Sequence, residues 1–523
     1  MCVRVFERRV RAFRRRNLTG GCGFDLIFVK SQILGFSFIV QSICCWISFL
    51  ILLKICFGTC LSHLLLEISF FFFLTDTTDT TVSRFRQILY SQTRQTLLVL
   101  TFSMRAFCPP RFRPRFLSTK RKEILIDRST LFDPSKTEWK KSSYSTPLAK
   151  EIATHVIARG PITVSEYMKQ CLTHPTHGYY TNREYVFGTK GDFTTAPEIS
   201  QLFGEAIAVW VIMTWQAIGS PEKFQLIELG PGNGTLASDM IRTFDKFPPL
   251  ANAIEYNFVE ISEKMQRKQS DTVQSMAESM NNRSMVERCS WYSRLNDVQK
   301  SENCPNIIIG QEILDALYIH RFKYTKKGWR EILVDVEQDP NAEFDFRFVT
   351  SPGDTPASSM LLSKKKQQAE KEDFGIGSTI EVGASACALV QDCATRISEL
   401  GGAALFIDYG DDFAPTDSFR GISKHEFCSP LYRPGEIDLT ADVDFAALRR
   451  AISHHDDIII RGVETQNFFL KSMGIAERFQ MLYEKSNSEE EKETLMRAYE
   501  RLMSDKEMGE LFKVFAFSSL KNI

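Results

Sequence analysis

The stretch from Glu228 to Gly234 carries the clearest chemical signal in the chain. An apolar run, Phe224-Gln-Leu-Ile-Glu-Leu229, contains Glu228 near its end, and glycines follow at 230, 232 and 234. Alternate glycines let a backbone turn sharply and approach a ligand with no Cβ in the way. A pyrophosphate-binding loop would read G-x-G-x-x-G. Here the third glycine arrives one residue early, Thr235 stands where that pattern needs glycine, and an acid lies two positions ahead of the first glycine. A second run, Tyr256-Asn-Phe-Val-Glu-Ile261, brings Glu260 26 residues beyond Gly234. A carboxylate at the end of a neighbouring strand offers acceptors and no donor, which suits the paired hydroxyls of a ribose. The bland alternatives are a tight turn at the glycines and a solvated strand end at Glu260. Both features in this order and spacing favour a cofactor site.

Such a loop needs a strand to deliver it and a helix to leave it. Apolar runs of buried-strand length lie at 224–229, 256–261, 307–310, 404–408 and 458–461, with helical patterns such as 236–244 and 262–274 between them. Strands alternating with helices predict an α/β fold, a mostly parallel sheet covered on both faces. Ligands bind at the carboxyl edge of such sheets. The polar, lysine-rich stretch 351–371 reads as part of a surface insertion near 323–371. The charged, helix-prone stretch 476–508 reads as an exposed helical hairpin.

The whole chain bounds the possibilities. Its 523 residues suggest two to four domains, and 43% hydrophobic with 24% charged residues is a globular composition. Lys+Arg and Asp+Glu both number 64, and this zero net charge argues against a dedicated nucleic-acid binder. Seven of 13 cysteines precede residue 110 and the rest show no CxxC spacing, which fits neither a disulfide framework nor a zinc site. Residues 4–16 hold seven arginines, and the uncharged run 33–53 is long enough to cross a bilayer. From Met104 to Lys122 seven Arg or Lys occur with no acid, the composition of a mitochondrial transit peptide. Two readings follow. Either residues 1–103 are an artefact of the reading frame and 104–143 are a transit peptide and linker, or 33–53 is a signal anchor. A matrix presequence works only at a free N-terminus, so the first is the expectation, with the catalytic domain over 144–523 and no membrane partner for the mature domain.

The E-x-G-x-G-x-G spacing of Glu228, Gly230, Gly232 and Gly234 resembles motif I of class I S-adenosylmethionine-dependent methyltransferases. That resemblance implies a Rossmann-like fold and S-adenosylmethionine as cofactor, whose cationic sulfonium and amino group suit a nearby carboxylate. Longer blocks resemble the MidA-like methyltransferases, the mitochondrial arginine methyltransferases that assist assembly of respiratory complex I. They are GPITVSEYMKQCLTHPTHGYY (160–180), GDFTTAPEISQLFGE (191–205), QEILDALYIHRF (311–322), GGAALFIDYG (401–410), DLTADVDFAALR (438–449), FFLKSMGI (468–475) and MGELFKVFAF (508–517). The similarity covers roughly 145–520 and leaves 1–103 without a counterpart. It implies an N-terminal helical block, surface insertions and a matrix location. It further implies symmetric arginine dimethylation of a hydrophilic-arm subunit of complex I, with Phe193, Thr195 and Glu198 bordering the cofactor.

Methyl transfer from a sulfonium is an in-line displacement that demands alignment and an available lone pair. Guanidinium is a poor nucleophile, with a pKa of about 12.5–13.8. Paired carboxylates answer this by gripping it with bidentate hydrogen bonds and aiming one nitrogen. Glu312 and Asp315 follow the run 307–310 and lie three apart, which on a helical turn places them on one side. Glu312 is the expected clamp, and Asp315 the second acid or a helix-positioning group. A solvated first-turn acid pair is the plain alternative. Gln311 stands where relatives carry Asn or His and is expected to touch substrate; Tyr318 stands where they carry Pro. Trp291 is a candidate adenine-stacking residue or a core aromatic. Asp408 and Tyr409 are candidate substrate contacts or caps of the sheet edge. His174 and His177 are three apart with no third ligand, and His454 and His455 are adjacent, so no metal is expected. A small-molecule methyltransferase and a catalytically silent complex I assembly factor remain as alternatives. Calorimetry with S-adenosylmethionine separates the silent factor, and product mass spectrometry separates the two enzymes.

Overall fold

The computed structural model describes residues 144–182, 194–281, 284–362 and 375–519. The arginine-rich start, the apolar run 33–53, the presequence reading of 104–143 and Phe193 lie outside the described residues. The described chain begins with α1 (Pro147–Arg159), capped by the Thr146 hydroxyl, which accepts from the Ala149 amide. Strand β1 (Ile162–Thr163), α2 (Val164–Thr173) and α3 (Tyr179–Asn182) follow, then α4 (Ala196–Ile199) and α5 (Gln201–Ala217).

The central sheet starts at β2 (Phe224–Leu229), which leads through the glycine loop into α6 (Thr235–Phe244) and α7 (Pro248–Ala253). Next come β3 (Ile254–Val259), α8 (Glu263–Ser279), β4 (Cys289–Tyr292) and β5 (Asn306–Gln311). A second sheet is built from β6 (His320–Thr325), β7 (Gly328–Val336) and β8 (Phe346–Thr350), followed by α9 (Pro356–Leu361) and β9 (Thr379–Val382). After α10 (Ala384–Leu400), β10 (Gly402–Asp411) re-enters the central sheet. Strands β11 (Arg420–Ser423), β12 (Glu426–Cys428) and β13 (Asp438–Thr440) form a small third sheet. The rest comprises β14 (Val443–Asp444), α11 (Phe445–Ile452), β15 (Ile458–Thr465), α12 (Gln466–Ser472), α13 (Ile475–Lys485), α14 (Glu489–Met503), α15 (Met508–Leu511) and β16 (Phe512–Ser519).

The central order is β15-β16-β10-β5-β2-β3-β4. The pairs β10–β5, β5–β2, β2–β3 and β3–β4 are parallel, while β16 runs antiparallel to both β10 and β15. Side chains alternate between two cores, as the period of two requires. Phe224, Leu226, Ile307, Ile309, Leu405 and Ile407 pack on the α5, α6 and α8 side; Ile227, Leu229, Ile308, Ala404 and Phe406 pack on the α10 and α11 side. Burial on both faces is why these strands read as continuous apolar runs. The chain proceeds outward from β2 to β3 and β4 on one side and to β5 and β10 on the other. The β2–β5 junction is therefore the switch point, where a crevice opens at the carboxyl edge.

The second sheet is ordered β1-β7-β6-β9, with β8 on β7, all antiparallel. Ile332, Val334, Phe346 and Phe348 pack against Leu148, Ile152 and Val156 of α1 and Tyr167 of α2. Residues 323–350 thus carry β7, β8 and the end of β6. Over 475–503, α13 and α14 form two consecutive helices, and Ala498, Leu502 and Met503 are buried. Among the described residues no helix is long and apolar enough to cross a membrane.

Candidate functional site

Between β2 and α6 the backbone reverses through three left-handed residues, Gly230, Gly232 and Gly234, with φ of 63°, 56° and 80°. A Cβ on Gly230 would sit 3.0 Å from the Ile313 side chain, and one on Gly234 3.3 Å from the Gln269 backbone. The loop is held from three sides. The Gly230 amide donates to the Val259 carbonyl (3.0 Å). Glu198, in the short helix α4, accepts from Asn233 Nδ2 (3.0 Å) and the Thr235 hydroxyl (2.6 Å). Gln269 Nε2 donates to the Gly232 carbonyl (2.9 Å).

Gln269 is fully buried and joins three candidate residues. Its Nε2 also reaches Glu260 (3.2 Å), and its Oε1 accepts from Trp291 Nε1 (3.2 Å). Glu260 lies just past β3, and its other oxygen accepts from the Ser262 amide (2.8 Å). Burial raises its pKa above the ordinary glutamate value, against those hydrogen bonds. The β3 strand sits two residues earlier than the apolar run suggested, so Glu260 follows its last residue, Val259. Trp291 lies within the four-residue edge strand β4. One ring face stacks on Phe258 at 4.9 Å, and Phe258 stacks in turn on Tyr256 at 4.4 Å. Glu228 is 2% exposed and accepts from the Tyr256 hydroxyl beneath the loop. Burial pushes its pKa up to about 8 despite that bond.

The second part of the site follows β5. Glu312 and Asp315 do not share a helical turn, since 312–319 is irregular. The physical reason lies at Glu312 itself. Its amide still pairs with the Ile407 carbonyl (2.9 Å) in strand fashion, and its φ of 49° then turns the chain away in a left-handed step. Such conformations are unfavourable for a non-glycine residue and cluster at functional sites. Asp408, fully buried, accepts from the Leu314 (2.8 Å) and Asp315 (3.2 Å) amides through one oxygen, and from the Tyr409 amide (2.9 Å) through the other. It thereby fastens the turn to β10. Burial holds its pKa well above the ordinary range, with the Asp315 and Glu312 charges adding to the rise.

Glu312 Oε1 accepts from the Ala196 amide at the start of α4 (2.8 Å) and from Gln311 Nε2 (2.7 Å). Burial lifts its pKa to about 7, the Ala196 bond opposes this, and the Asp315 charge adds to the rise. Thr195, next to Ala196, is the N-terminal flank of α4. Thus α4 touches both the loop, through Glu198, and the acid turn, through Ala196. Asp315 Oδ2 accepts from the Tyr409 hydroxyl (2.5 Å) and the Thr440 hydroxyl (2.8 Å). Burial raises its pKa, against those two bonds and the Arg420 charge.

Two amide oxygens are buried without a partner here: Asn233 Oδ1 in the glycine loop and Gln311 Oε1 beside Glu312. Both hydrogen bonds to Glu312 land on Oε1, and both hydroxyls on Asp315 reach Oδ2, with the Ala316 amide also donating to the Asp315 carboxylate. Buried acceptors left unpaired are costly, and a ligand rich in N–H groups and positive charge would satisfy them. A cationic amino acid-bearing nucleoside fits this donor-poor lining: the loop presents backbone without Cβ, Asn233 an open acceptor, and Glu260 carboxylate lone pairs for ribose hydroxyls. Sequence reading missed Asn233, Gln269, Thr440 and Arg420. Gln269 was detectable as the one polar residue in the buried stripe Met265, Gln269, Val273, Ala277 of α8. Among the described residues no group of three His, Cys, Asp or Glu side chains could hold a metal ion.

Residues 206–463 match a family model described as S-adenosyl-L-methionine-dependent methyltransferase. The chain is 40% identical over 384 residues to the human protein arginine methyltransferase NDUFAF7, mitochondrial, covering 71% of this chain and 83% of that one. The zebrafish (Danio rerio) protein of the same name is 39% identical over 394 residues, 73% of this chain and 89% of that one. The Drosophila melanogaster homolog is 33% identical over 417 residues, 77% and 92%. A crystal structure of a COG1565 superfamily member from Burkholderia thailandensis, bound to S-adenosyl-homocysteine, superposes with a TM-score of 0.60 at 27% identity, covering 72% of this chain and 92% of that one.

Proposed function

This chain belongs to the MidA-like family of S-adenosylmethionine-dependent methyltransferases, and on that footing we propose that it methylates arginine in a protein substrate, in mitochondria. The arginine acceptor and the location come from the printed names of its relatives. The symmetric product, a hydrophilic-arm subunit of complex I as substrate, a role in complex I assembly and a matrix address rest on the family resemblance. The reading of 104–143 as a transit peptide rests on the basic, acid-free composition of 104–122, and N-terminal sequencing of the mature protein tests it.

The observation that carries the reading is the set of open acceptors at the carboxyl ends of β5 and β2. Gln311 Oε1 is buried without a donor, and both hydrogen bonds to Glu312 land on its Oε1. A guanidinium offers five N–H donors and no acceptor, so it fills several of these acceptors at once, where a hydroxyl or thiol brings one donor and a carboxylate none.

When bound, the cofactor supplies an electrophilic methyl group. The chain's own residues do the rest. Glu312 Oε1 is fixed by Ala196 and Gln311, which leaves Oε2 to accept from the guanidinium in a set direction. Gln311 Oε1 accepts a second N–H and fixes the plane. Orientation of this kind supplies much of the acceleration in a displacement that needs alignment. Asp315, held by Tyr409 and Thr440, lies across the turn as the second acid and accepts the proton that leaves the methylated nitrogen. Glu260, Asn233, the glycine loop and Trp291 hold the cofactor, with Glu198 and Thr195 on the α4 side.

Calorimetry with S-adenosylmethionine, followed by mass spectrometry of matrix proteins incubated with enzyme and cofactor, tests this. Binding heat with new symmetric dimethylarginine on a complex I hydrophilic-arm subunit is the expected result. Absence of binding heat would leave a silent assembly factor, and methylation confined to metabolites would replace the protein substrate.

A further inference from the structure

Arg420, the first residue of β11, is absent from the roles assigned above, yet it is built into the acid site. Its guanidinium carbon lies 5.2 Å from the Tyr409 ring centre and 5.1 Å from that of Phe427, so two aromatic faces enclose it. Nη1 pairs with Asp442 Oδ1 (2.7 Å) and donates to the Ser418 carbonyl (2.7 Å). Its Nε is buried without a partner. Phe427 is 74% exposed, so the outer leaf of this sandwich is a ring that buries little of itself. The strand pairing sets Arg420 opposite Thr440. The two residues whose hydroxyls donate to Asp315 therefore neighbour Arg420: Tyr409 through its ring, and Thr440 across the ladder.

The hairpin that presents Phe427 turns at Lys424 and His425, with φ of 52° and 65°. Consecutive left-handed residues define the two-residue turn whose twist matches flanking strands. The turn fixes the register in which Gly421 faces Cys428 and Ile422 faces Phe427. Arg420 and Phe427 are thus brought together by the hairpin, and Arg420 ties that hairpin to β10.

We propose that Arg420 is a positioning residue for Asp315: pressed between Tyr409 and Phe427 and paired with Asp442, it holds the Tyr409 hydroxyl on Asp315 and favours the charged form of the acid that meets the substrate guanidinium. A cation over a ring face is attracted by the ring quadrupole, and a nearby opposite charge favours the ionised form of a buried acid. Among the described residues, the charged and titratable groups that act on Asp315 are Glu312 on its own turn, Asp408 and Tyr409 of β10, Tyr180 of α3, and Arg420 of β11. Arg420 is the cation in that set. The inference rests on the arginine-methylation reading for its purpose, although its physical core concerns this chain alone.

The test separates the two. Aspartate carboxyl carbons are titrated by 13C NMR in the cofactor-free full chain, with Asp315→Asn identifying the Asp315 signal. In Arg420→Ala the Asp315 midpoint should rise by about one pH unit or more, as expected on losing a neighbouring cation. Tyr409→Phe, which keeps the ring and loses the hydroxyl, should move it the same way. Arg420→Lys should restore the midpoint but only part of kcat/KM. Arginine methylation by Arg420→Ala should fall about 10–100-fold in kcat/KM, while cofactor affinity by calorimetry changes less than about threefold. An Asp315 midpoint unchanged in folded Arg420→Ala overturns the proposal; if that variant does not fold, an unchanged midpoint in Tyr409→Phe does so. A wild-type protein that methylates no arginine would instead overturn the functional reading, and the titration would still decide the role of Arg420.

Discussion

Glu312 is a carboxyl whose burial outweighs its hydrogen bonds. Its pKa of about 7 compares with a reference value of 4.5, so between those pH values the folded state binds a proton that the unfolded chain has released. Stability therefore falls as pH rises through that window. Glu228, at about 8, extends the same trend. Thermal unfolding of the cofactor-free protein should show a lower melting temperature at pH 8 than at pH 5.5, and Glu312→Gln should reduce the difference. In the proposed clamp role Glu312 works as an anion, so activity should move the other way. kcat/KM for the protein substrate should drop below an apparent pKa near 7, and the limb on kcat should lie lower because the bound guanidinium favours the charged form. Glu312→Gln should lower kcat about 10²–10³-fold, as the loss of a transition-state charge partner does, with cofactor affinity kept. Normal turnover in that variant would remove Glu312 from the clamp role.

At the scale of elements, the glycine loop depends on what surrounds it as much as on its own composition. Gly232→Val puts a branched side chain on a residue at φ 56°. Calorimetry should show cofactor affinity lost beyond detection, and unchanged affinity would mean the loop is not the cofactor seat. Gln269→Leu keeps volume but strands the Gly232 carbonyl, Glu260 and Trp291 Nε1 without their partner. Leaving buried polar groups unpaired costs about 1–3 kcal/mol, so denaturant unfolding and cofactor binding should both weaken. A Gln269→Leu protein with unaltered cofactor affinity would confine that residue to packing. Much of this level was legible beforehand. Strands β2, β3, β5 and β10 read as apolar runs because both faces are buried. Strands β6, β7 and β8 escaped notice since one face of each is polar, as in His320-Arg-Phe-Lys-Tyr-Thr325, and a search for runs does not register alternation.

For the whole molecule, the question is how distant segments converge on one crevice. Arg478 of α13 bonds Glu205 of α5 through two nitrogens (2.6 and 2.9 Å), and Arg242 of α6 bonds both Glu205 (3.3 Å) and Asp239 (2.8 Å). The helix leaving the glycine loop is thereby tied to the C-terminal helices. Arg478→Ala should cost about 1.5–3 kcal/mol, the range for hydrogen bonds to charged groups, measurable by denaturant unfolding. Arg242 still covers Glu205, so the lower end of that range is expected.

The amino-acid sequence alone determined the α/β class, the place of the glycine loop at the end of β2, and the candidacy of Glu228, Glu260, Glu312 and Asp315. Those features are local: apolar runs, glycine spacing and acids at strand ends are set within a dozen residues. Only the tertiary structure decided what each acid touches. Spacing of three suggested a shared helix face for Glu312 and Asp315, yet Asp408, 93 residues beyond Asp315, captures the turn amides and leaves it irregular. Glu312 then faces Ala196, and Asp315 faces Tyr409 and Thr440. Partners so remote in the chain leave no periodic trace, since hydrogen bonds between packed elements depend on how the sheet brings its carboxyl ends together.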